Sequence, residues 1–376
     1  MTGQVHTKRL KALAFIIISG VLIGACTRPP VPVGPKFSGR LLLLAGDNPN
    51  GADLLELTAA PTGSTYNSAV LSQGVFEAVA SADHTRLLYA TKDAIMLRDL
   101  RTGAVKPLVN GENYCLAWSP DGNRFSYKQR AGTQTRLYYS DLNGKAKLIW
   151  EDLIADNSQG HASVLERAAA SSNCAHWIAP DRLIFDRFIG VSRQKQGDEA
   201  PKPNTTTLAI LSEPVKLSDT ERKWSIESIC QFGNAVFLRP HDQAQPILIA
   251  RNLDNLKTLD PSPAPVSGCR FVGFAAKSCV PFFIEDTGST STELFYLNPT
   301  NWQRQRGAHI GQTFSPAAKM LIKSSARLMI VGDVPASLLL IDTESGETVP
   351  FFPKSAQAPA SGGGLLSPVP VVWIEE

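Results

Sequence analysis

Hydrophobic and polar residues alternate with a period of two along residues 116–149, and two clusters of turn residues interrupt the alternation. Phe125 and Tyr127 alternate with polar neighbours, which is the period of a half-buried β-strand. A Ser-Pro-Asp-Gly sequence at 119–122 supplies a proline and a glycine, which favour a tight chain reversal, and Asp-Leu-Asn-Gly at 141–144 marks a second turn. This stretch therefore predicts short antiparallel strands joined by turns.

The same arrangement recurs along the chain. Ser-Ala-Asp-His at 81–84 precedes the turn at 119–122 by 38 residues, and Cys-Ala-His-Trp at 174–177 matches Cys-Leu-Ala-Trp at 115–118. Repeats of about 40 residues with four short strands each are the signature of a β-propeller. We therefore predict an all-β fold, a seven-bladed β-propeller, with six blades as the alternative if the irregular fourth and fifth units merge.

Individual strands of these units can be predicted from their hydrophobic patterns. In the second unit, strands are predicted at 86–90 and 94–99. The sixth unit shows three strand patterns, and the seventh is predicted to open with a strand at 312–316. The aspartates at the turns are interpreted as caps of those turns: Asp83, Asp121, Asp181, Asp99, Asp141 and Asp342.

The two ends of the chain predict how the ring closes. The first unit, which begins with a strand at 40–45, has three strands instead of four, and residues 368–374 offer a spare strand that resembles those ending in Trp118 and Trp177. We predict that the C-terminal strand completes the first blade, because closure removes the exposed edge that an open stack of sheets would present.

The repeat from Trp118 to Gly144 resembles the WD40-like repeat of the periplasmic propeller family typified by the translocation protein TolB, with its W-S-P-D-G…F…L-Y…D-L-x-G signature. This resemblance implies the propeller fold and docking to another envelope protein or to a peptide. A more distant resemblance to the propeller lipoprotein of the β-barrel assembly machinery implies the same. The sequence shows no extra α/β domain before the propeller, so binding to the lipoprotein Pal is not carried over from TolB.

The N-terminus has the organisation of a secretion signal. Lys8, Arg9 and Lys11 precede an apolar run at 12–23, which is too short to cross a bilayer that needs about 20 helical residues. The run ends in Leu-Ile-Gly-Ala-Cys26, which resembles a bacterial lipobox, after whose cleavage the cysteine sulfur is diacylated. We predict that Cys26 is lipidated; the alternative is a plain signal peptide followed by an ordinary cysteine.

Three regions follow from these observations: a lipoprotein signal peptide at 1–25, a lipidated cysteine with a proline-rich tether at 26–38, and a propeller domain at 39–376. The prolines of the tether favour a semi-rigid polyproline II spacer. Thr27 stands where lipoproteins of the inner membrane typically carry aspartate, so the resemblance favours the outer membrane, facing the periplasm. The predicted location is the bacterial cell envelope, with the membrane bound through the lipid anchor.

The net charge restricts the classes of partner that the chain is expected to bind. The chain has 37 basic and 34 acidic residues, and the three surplus basic residues all lie in the signal, which leaves 34 of each sign after cleavage. Nucleic acid binding needs a basic excess or a basic stripe, and the sequence contains neither. We therefore expect no nucleic acid partner, and no motif indicates a cofactor.

Five cysteines besides Cys26 allow disulfides in an oxidising compartment. We consider two pairs, Cys115 with Cys174 and Cys269 with Cys279 across a hairpin; the alternative is that the cysteines are small buried hydrophobic residues. No Cys-x-x-Cys or His-x-x-His spacing is present, so a metal site is not predicted.

The predicted innermost strands place three polar residues where they could line the central channel or bind a ligand: His176, Glu77 and Arg270. The sequence has no nucleophile elbow and no assignable carboxylate pair, so no catalytic residue is predicted. Two insertions interrupt the repeat, at 151–172, with a short helix predicted at 163–170, and at 186–206. Such loops are either binding surfaces on a rigid scaffold or solvated segments.

These observations favour a lipid-anchored envelope propeller that acts as a non-enzymatic protein- or peptide-binding scaffold. The alternative is an envelope hydrolase or lyase that acts on glycan or peptide at the channel, because propellers also host such enzymes.

Overall fold

The computed structural model describes the following residues: 36–46, 50–59, 66–131, 134–152, 174–187, 205–219, 226–232, 235–240, 247–250, 259–261, 269–275, 278–298, 300–315, 318–323, 325–333, 337–350 and 368–375. Cys26, the predicted helix at 163–170 and most of both insertions lie outside them. All the regular secondary structure of the described residues is β-strand.

The strands of the first half of the chain are β1 (Arg40–Ala45), β2 (Ala52–Ala59), β3 (Tyr66–Val75), β4 (Glu77–Ala80), β5 (Arg86–Ala90), β6 (Ala94–Asp99), β7 (Val105–Asn110), β8 (Asn113–Trp118), β9 (Arg124–Ala131), β10 (Gln134–Asp141), β11 (Ala146–Asp152), β12 (His176–Ala179), β13 (Arg182–Arg187) and β14 (Thr205–Ile210). Those of the second half are β15 (Lys216–Asp219), β16 (Ile226–Phe232), β17 (Ala235–Pro240), β18 (Leu248–Ala250), β19 (Leu259–Pro261), β20 (Arg270–Phe274), β21 (Pro281–Asp286), β22 (Thr292–Leu297), β23 (Arg304–Ile310), β24 (Lys319–Ile322), β25 (Leu328–Asp333), β26 (Ser337–Asp342), β27 (Thr348–Pro350) and β28 (Val369–Ile374).

These strands form seven four-stranded antiparallel sheets. The first sheet has the order β28-β1-β2-β3, and each of the other six is built from four consecutive strands, beginning with β4–β7 as the second sheet. The fourth and fifth units, whose merging would give six blades, form separate sheets, β12–β15 and β16–β19. The predicted all-β propeller fold is confirmed.

Hydrophobic side chains fill the spaces between successive sheets. Leu88 and Ile95 of the second sheet pack with Phe125 and Tyr127 of the third, and every other pair of consecutive sheets encloses a cluster of the same kind. A further cluster joins the seventh sheet to the first. The core of this protein is therefore a set of interfaces between sheets, and the inner strands present apolar residues on both faces.

The C-terminal strand is the innermost strand of the first sheet. β28 pairs with β1 in antiparallel register, with Trp373 opposite Leu41. The indole N–H of Trp373 donates to the carbonyl oxygen of Ser38 at 2.8 Å. Gly39 has a φ of +82°, and a Cβ there would lie 2.2 Å from the carbonyl oxygen of Ile374. Only glycine therefore allows β28 to approach the start of β1 so closely.

Five of the six predicted turn aspartates accept hydrogen bonds within their turns, and the capping role of Asp181 stays a prediction. Asp121 accepts hydrogen bonds from the hydroxyl of Ser119 at 2.6 Å and from the backbone N–H of Asn123 at 3.2 Å. Asp83 has the equivalent bonds in the preceding repeat, and Asp99, Asp141 and Asp342 accept backbone N–H groups of their own turns. These bonds fix the chain reversals that separate the strands of each sheet.

The structure differs from the predicted boundaries in several places, one of which is the strand β19 at the edge of the fifth sheet. Residues 312–315 are not a strand, and the innermost strand of the seventh sheet is β24. The sixth sheet has a fourth strand, β23, where no strand was predicted. Phe37 was assigned to the tether, but it is buried. Its aromatic ring packs against those of Tyr66 and Trp373 in the cluster between the seventh and first sheets. The folded part therefore begins before residue 39.

Candidate functional site

Glu77, one of the three predicted channel residues, supports a bulge in the neighbouring sheet. Cys115 and Leu116 of β8 together face a single residue of β9, and Cys115 has a φ of +58°. Such a β-bulge removes a backbone group from the ladder. The Glu77 carboxylate of β4 accepts the Leu116 N–H at 2.9 Å. Glu77 thus joins the second sheet to the third.

Glu77→Ala is expected to lower the free energy of unfolding by about 1–3 kcal/mol, because the buried N–H of Leu116 loses its acceptor. Glu77→Gln retains a side-chain oxygen and is expected to lose much less. Urea unfolding followed by circular dichroism measures both. Equal losses in the two variants would show that the charge, and not the hydrogen bond, is what matters.

His176, another predicted channel residue, bonds to the next sheet, and Arg270, the third, bonds to the segment that leads into the next sheet. The carbonyl oxygen of Ile226 accepts from Nε2 of His176 at 3.0 Å. Burial lowers the pKa of His176 to about 4, although that hydrogen bond opposes the shift, so the ring is neutral at pH 7. The guanidinium of Arg270 donates to the carbonyl oxygen of Phe314 at 3.3 Å and to that of Ser315. A role of these residues in ligand binding stays a prediction.

The tryptophans that mark the repeat make bonds of the same type. The indole N–H of Trp118 donates to the carbonyl oxygen of Val79 at 3.0 Å, across the boundary between the second and third sheets. The indole N–H of Trp177 lies 3.2 Å from the carbonyl oxygen of Ala117 and 3.0 Å from the hydroxyl of Ser126. The inner strands are thus held together by side-chain hydrogen bonds as well as by apolar packing.

Two disulfides link neighbouring sheets. Cys115 of β8 is bonded to Cys174, just ahead of β12, which is one of the two pairs considered from the sequence. Cys230 of β16 is bonded to Cys279, just ahead of β21. Cys269 is buried and belongs to neither disulfide, and burial raises the pKa of its thiol.

The predicted pair Cys269–Cys279 is therefore wrong, and the strand register gives the reason. Cys269 adjoins Arg270, which faces Ile284 in the β20–β21 pair, whereas Cys279 lies close to Pro281, which faces Phe274. The two cysteines consequently stand at opposite ends of the hairpin. Cys279 has a φ of +51° and bonds to the preceding sheet instead.

A cluster of buried polar side chains between the third and fourth sheets was not predicted. Asp186 of β13 is 3% exposed and accepts a hydrogen bond from the hydroxyl of Thr206 at 2.6 Å. Burial raises the pKa of Asp186 to about 7, while the Thr206 hydrogen bond and the positive charge of Lys128 oppose the rise. Lys128 of β9 is itself buried. The cluster could not be predicted from the sequence, because its members are far apart in the chain and come from strands of different sheets.

The described residues that flank the two insertions lie at the end of the fourth sheet where this cluster is found. The first insertion enters the fourth sheet at the start of β12, and the second leaves it at the end of β13. Because β12 and β13 are antiparallel neighbours, with His176 facing Ile184, these two points lie at the same end of the sheet. Asp186 and Thr206 face each other at the two ends of the second insertion.

Asp186 is expected to make stability fall as the pH rises. Its pKa of about 7 in the folded state lies above the ordinary value of about 3.9 in an unfolded chain, so the folded state binds the extra proton between these values. This stabilisation is present at low pH and is lost as the pH rises through 7. Between pH 5 and pH 7 the loss is on the order of 2 kcal/mol.

Asp186→Asn, which keeps an oxygen for Thr206, is expected to abolish that loss, so its stability relative to the original protein should improve from pH 5 to pH 7. Urea unfolding at pH 5, 6 and 7 measures the difference. Asp93→Asn, at an exposed turn before β6, is the control and should keep the original slope. If the free energy of unfolding of Asp186→Asn changed with pH as much as that of the original protein, the pKa assignment would be contradicted.

Within the ranges that the structure describes, no group of three or more His, Cys, Asp or Glu side chains is arranged to hold a metal ion. The same residues include no helix with the length and apolar character needed to cross a bilayer.

No family model and no curated protein matches the chain. Solved structures do: a functionally unknown protein from Desulfotomaculum acetoxidans aligns with 84% of this chain and 100% of its own, at 11% identity and a TM-score of 0.50. The acylaminoacyl peptidase of Pyrococcus horikoshii aligns with 84% of this chain and 51% of its own, also at 11% identity and 0.50.

TolB from Acinetobacter baumannii aligns with 90% of this chain and 67% of its own, at 12% identity and a TM-score of 0.42. Likenesses at such low identity concern the fold alone. The seven sheets, packed face to face in sequence order, make this chain a β-propeller protein.

Proposed function

We propose that this chain is a lipid-anchored β-propeller of the bacterial cell envelope that acts as a non-enzymatic scaffold for a protein or peptide. The observation that supports this most is the use of the polar side chains on the innermost strands. Glu77 and His176 each bond to a backbone group of the next sheet, and Arg270 bonds to a backbone group of the segment that leads into the next sheet. These residues stabilise the ring, which suits a rigid platform for loops.

The proposed binding surface is the end of the fourth sheet from which both insertions leave. Loops on a rigid scaffold are the usual place for recognition, and the Cys115–Cys174 disulfide anchors the inner strand next to the first insertion. The envelope location rests on the sequence of residues 8–27, with the outer membrane favoured by Thr27.

The alternative, a hydrolase or lyase at the channel, requires a base that can accept a proton near neutral pH. His176 is neutral, but its Nε2 donates to a backbone carbonyl and its pKa is lowered to about 4. The contacts of His176 therefore do not support a role for this residue as that base.

The scaffold proposal is tested by partner capture with a matched control. Residues 190–202 are replaced by a short Gly-Ser linker, and in the control variant the turn at 142–144, at the opposite end of the strands, is changed to Gly-Ser residues. Purification from detergent-solubilised envelope should recover a specific partner with the original chain and with the control, but not with the loop variant. Recovery unaffected by the loop change would contradict the proposed surface.

The anchor is tested by Cys26→Ala. The variant is expected to remain unprocessed or to leave the membrane fraction, because no sulfur is available to carry the lipid. Labelling with radioactive palmitate should mark the original chain and not the variant. If the Cys26→Ala variant fractionates like the original chain and palmitate does not label the original chain, lipidation is contradicted.

A further inference from the structure

The outermost strand of the first sheet, β3, differs from the outermost strands of the other sheets. β3 spans Tyr66–Val75, ten residues, and contains neither a charged residue nor a proline. The other outermost strands contain one or both: Lys106 and Pro107 in β7, Lys147 in β11, Lys216 in β15, Asp260 and Pro261 in β19, Arg304 in β23, and Pro350 in β27. Charge and proline are the features that keep edge strands from pairing with another chain. β3 lacks this protection.

Only part of β3 has a regular geometry for pairing. Among the described strands, β3 is hydrogen-bonded to β2 alone. The register is regular from Tyr66 to Val70 and shifts beyond Val70. In the shifted half, the guanidinium of Arg98 donates to the carbonyl oxygen of Leu71 at 3.4 Å. Because bulges turn an edge away from a potential partner, the edge suited to pairing is Tyr66–Val70.

Val70 adds apolar surface at this edge. Val70 is 57% exposed, the highest value among the large hydrophobic residues that the structure describes. Leu148, at 48%, is comparable, but it lies in β11 beside Lys147. An exposed valine in an uncharged strand is the combination that favours association through the edge.

We infer that this edge pairs in antiparallel register with the same edge of a second copy of the chain, which joins the two first sheets into one. Antiparallel self-pairing places a strand opposite itself around a two-fold axis. In a charged strand this arrangement brings like charges together, which destabilises the pair; β3 has no charge to oppose it. The mature chain, with 34 residues of each sign, adds no net repulsion between copies.

The inference is independent of the partner proposed above, and it is tested with two copies of the full chain that carry different affinity tags. Co-expressed copies are expected to be purified together through either tag after detergent extraction. Val70→Lys in both copies places a charge at the edge and is expected to reduce recovery of the second copy at least tenfold. Leu148→Lys, at a comparably exposed position in another outermost strand, should leave recovery unchanged.

Thermal unfolding of each variant checks that the chain is folded, since both substitutions are at exposed positions. Original copies that do not co-purify would overturn the inference, as would a folded Val70→Lys variant that co-purifies as well as the original. A photoreactive residue in place of Asn67 tests whether a different envelope protein occupies the edge instead of a second copy. Cross-linking to such a protein, with no cross-link between copies, would assign the edge to that protein and overturn self-pairing.

Discussion

Trp373→Ala is expected to lower the free energy of unfolding by about 3–5 kcal/mol, the usual effect of removing a large buried aromatic side chain. Trp373 is 3% exposed and belongs to the cluster between the seventh and first sheets. Its ring stacks on Phe37 with a centroid separation of 5.4 Å, and its N–H donates to the Ser38 carbonyl oxygen. The substitution therefore loosens the strand that joins the two ends of the chain.

Chemical denaturation followed by tryptophan fluorescence and circular dichroism measures this loss. Hydrogen exchange adds a local test, because the amides of β1 should exchange faster when its partner strand β28 is held less tightly. Val105→Ala, at a position that is 43% exposed in β7, is the control and should change stability by no more than about 0.5 kcal/mol. A loss below about 1 kcal/mol for Trp373→Ala would mean that β28 contributes little to the fold.

The part of the fold that could be predicted from the sequence is the part determined by local residue patterns. Strands β5 and β6 fall at the predicted residues, 86–90 and 94–99, because apolar alternation and flanking turn residues define both ends. The pairing of the C-terminal strand could also be predicted, since the first unit was one strand short. Turn residues and strand periodicity act over a few residues, so a single sequence records them.

Outermost strands are harder to predict because only one of their faces is buried. In β23, Ala308 and Ile310 are buried, but Arg304, Arg306 and His309 are not. Polar residues therefore outnumber large apolar ones in its sequence, and the apolar alternation that marks inner strands is too weak to detect.

Contacts between sheets could not be predicted from the sequence, for a different reason. The Asp186 cluster and the Cys230–Cys279 disulfide each join strands from different blades. Their geometry depends on how neighbouring sheets pack and on single backbone features, such as the positive φ of Cys279. Glu77 was predicted as a channel residue, but only the structure shows that its carboxylate accepts the N–H of Leu116 at the bulge in β8.

The Cys115–Cys174 disulfide is expected to provide the second large contribution to stability. Its sequence separation is 59 residues, for which the loop-entropy relation gives a stabilisation of about 4 kcal/mol. The bond also holds Cys115 at its positive φ within the bulge of β8. The double variant Cys115→Ala/Cys174→Ala should therefore unfold at a lower urea concentration than the original chain.

The comparison needs a variant that loses a buried sulfur without losing a cross-link, and Cys269→Ala provides it, with an expected loss of about 1 kcal/mol. Alkylation in denaturant without reductant gives an independent readout: Cys269 should be labelled, and Cys115 and Cys174 should not. Labelling of Cys115 in the original chain would show that the bond is absent. If the bond is present but the double variant matches Cys269→Ala in stability, the disulfide does not hold the third and fourth sheets together, and apolar packing between them does so alone.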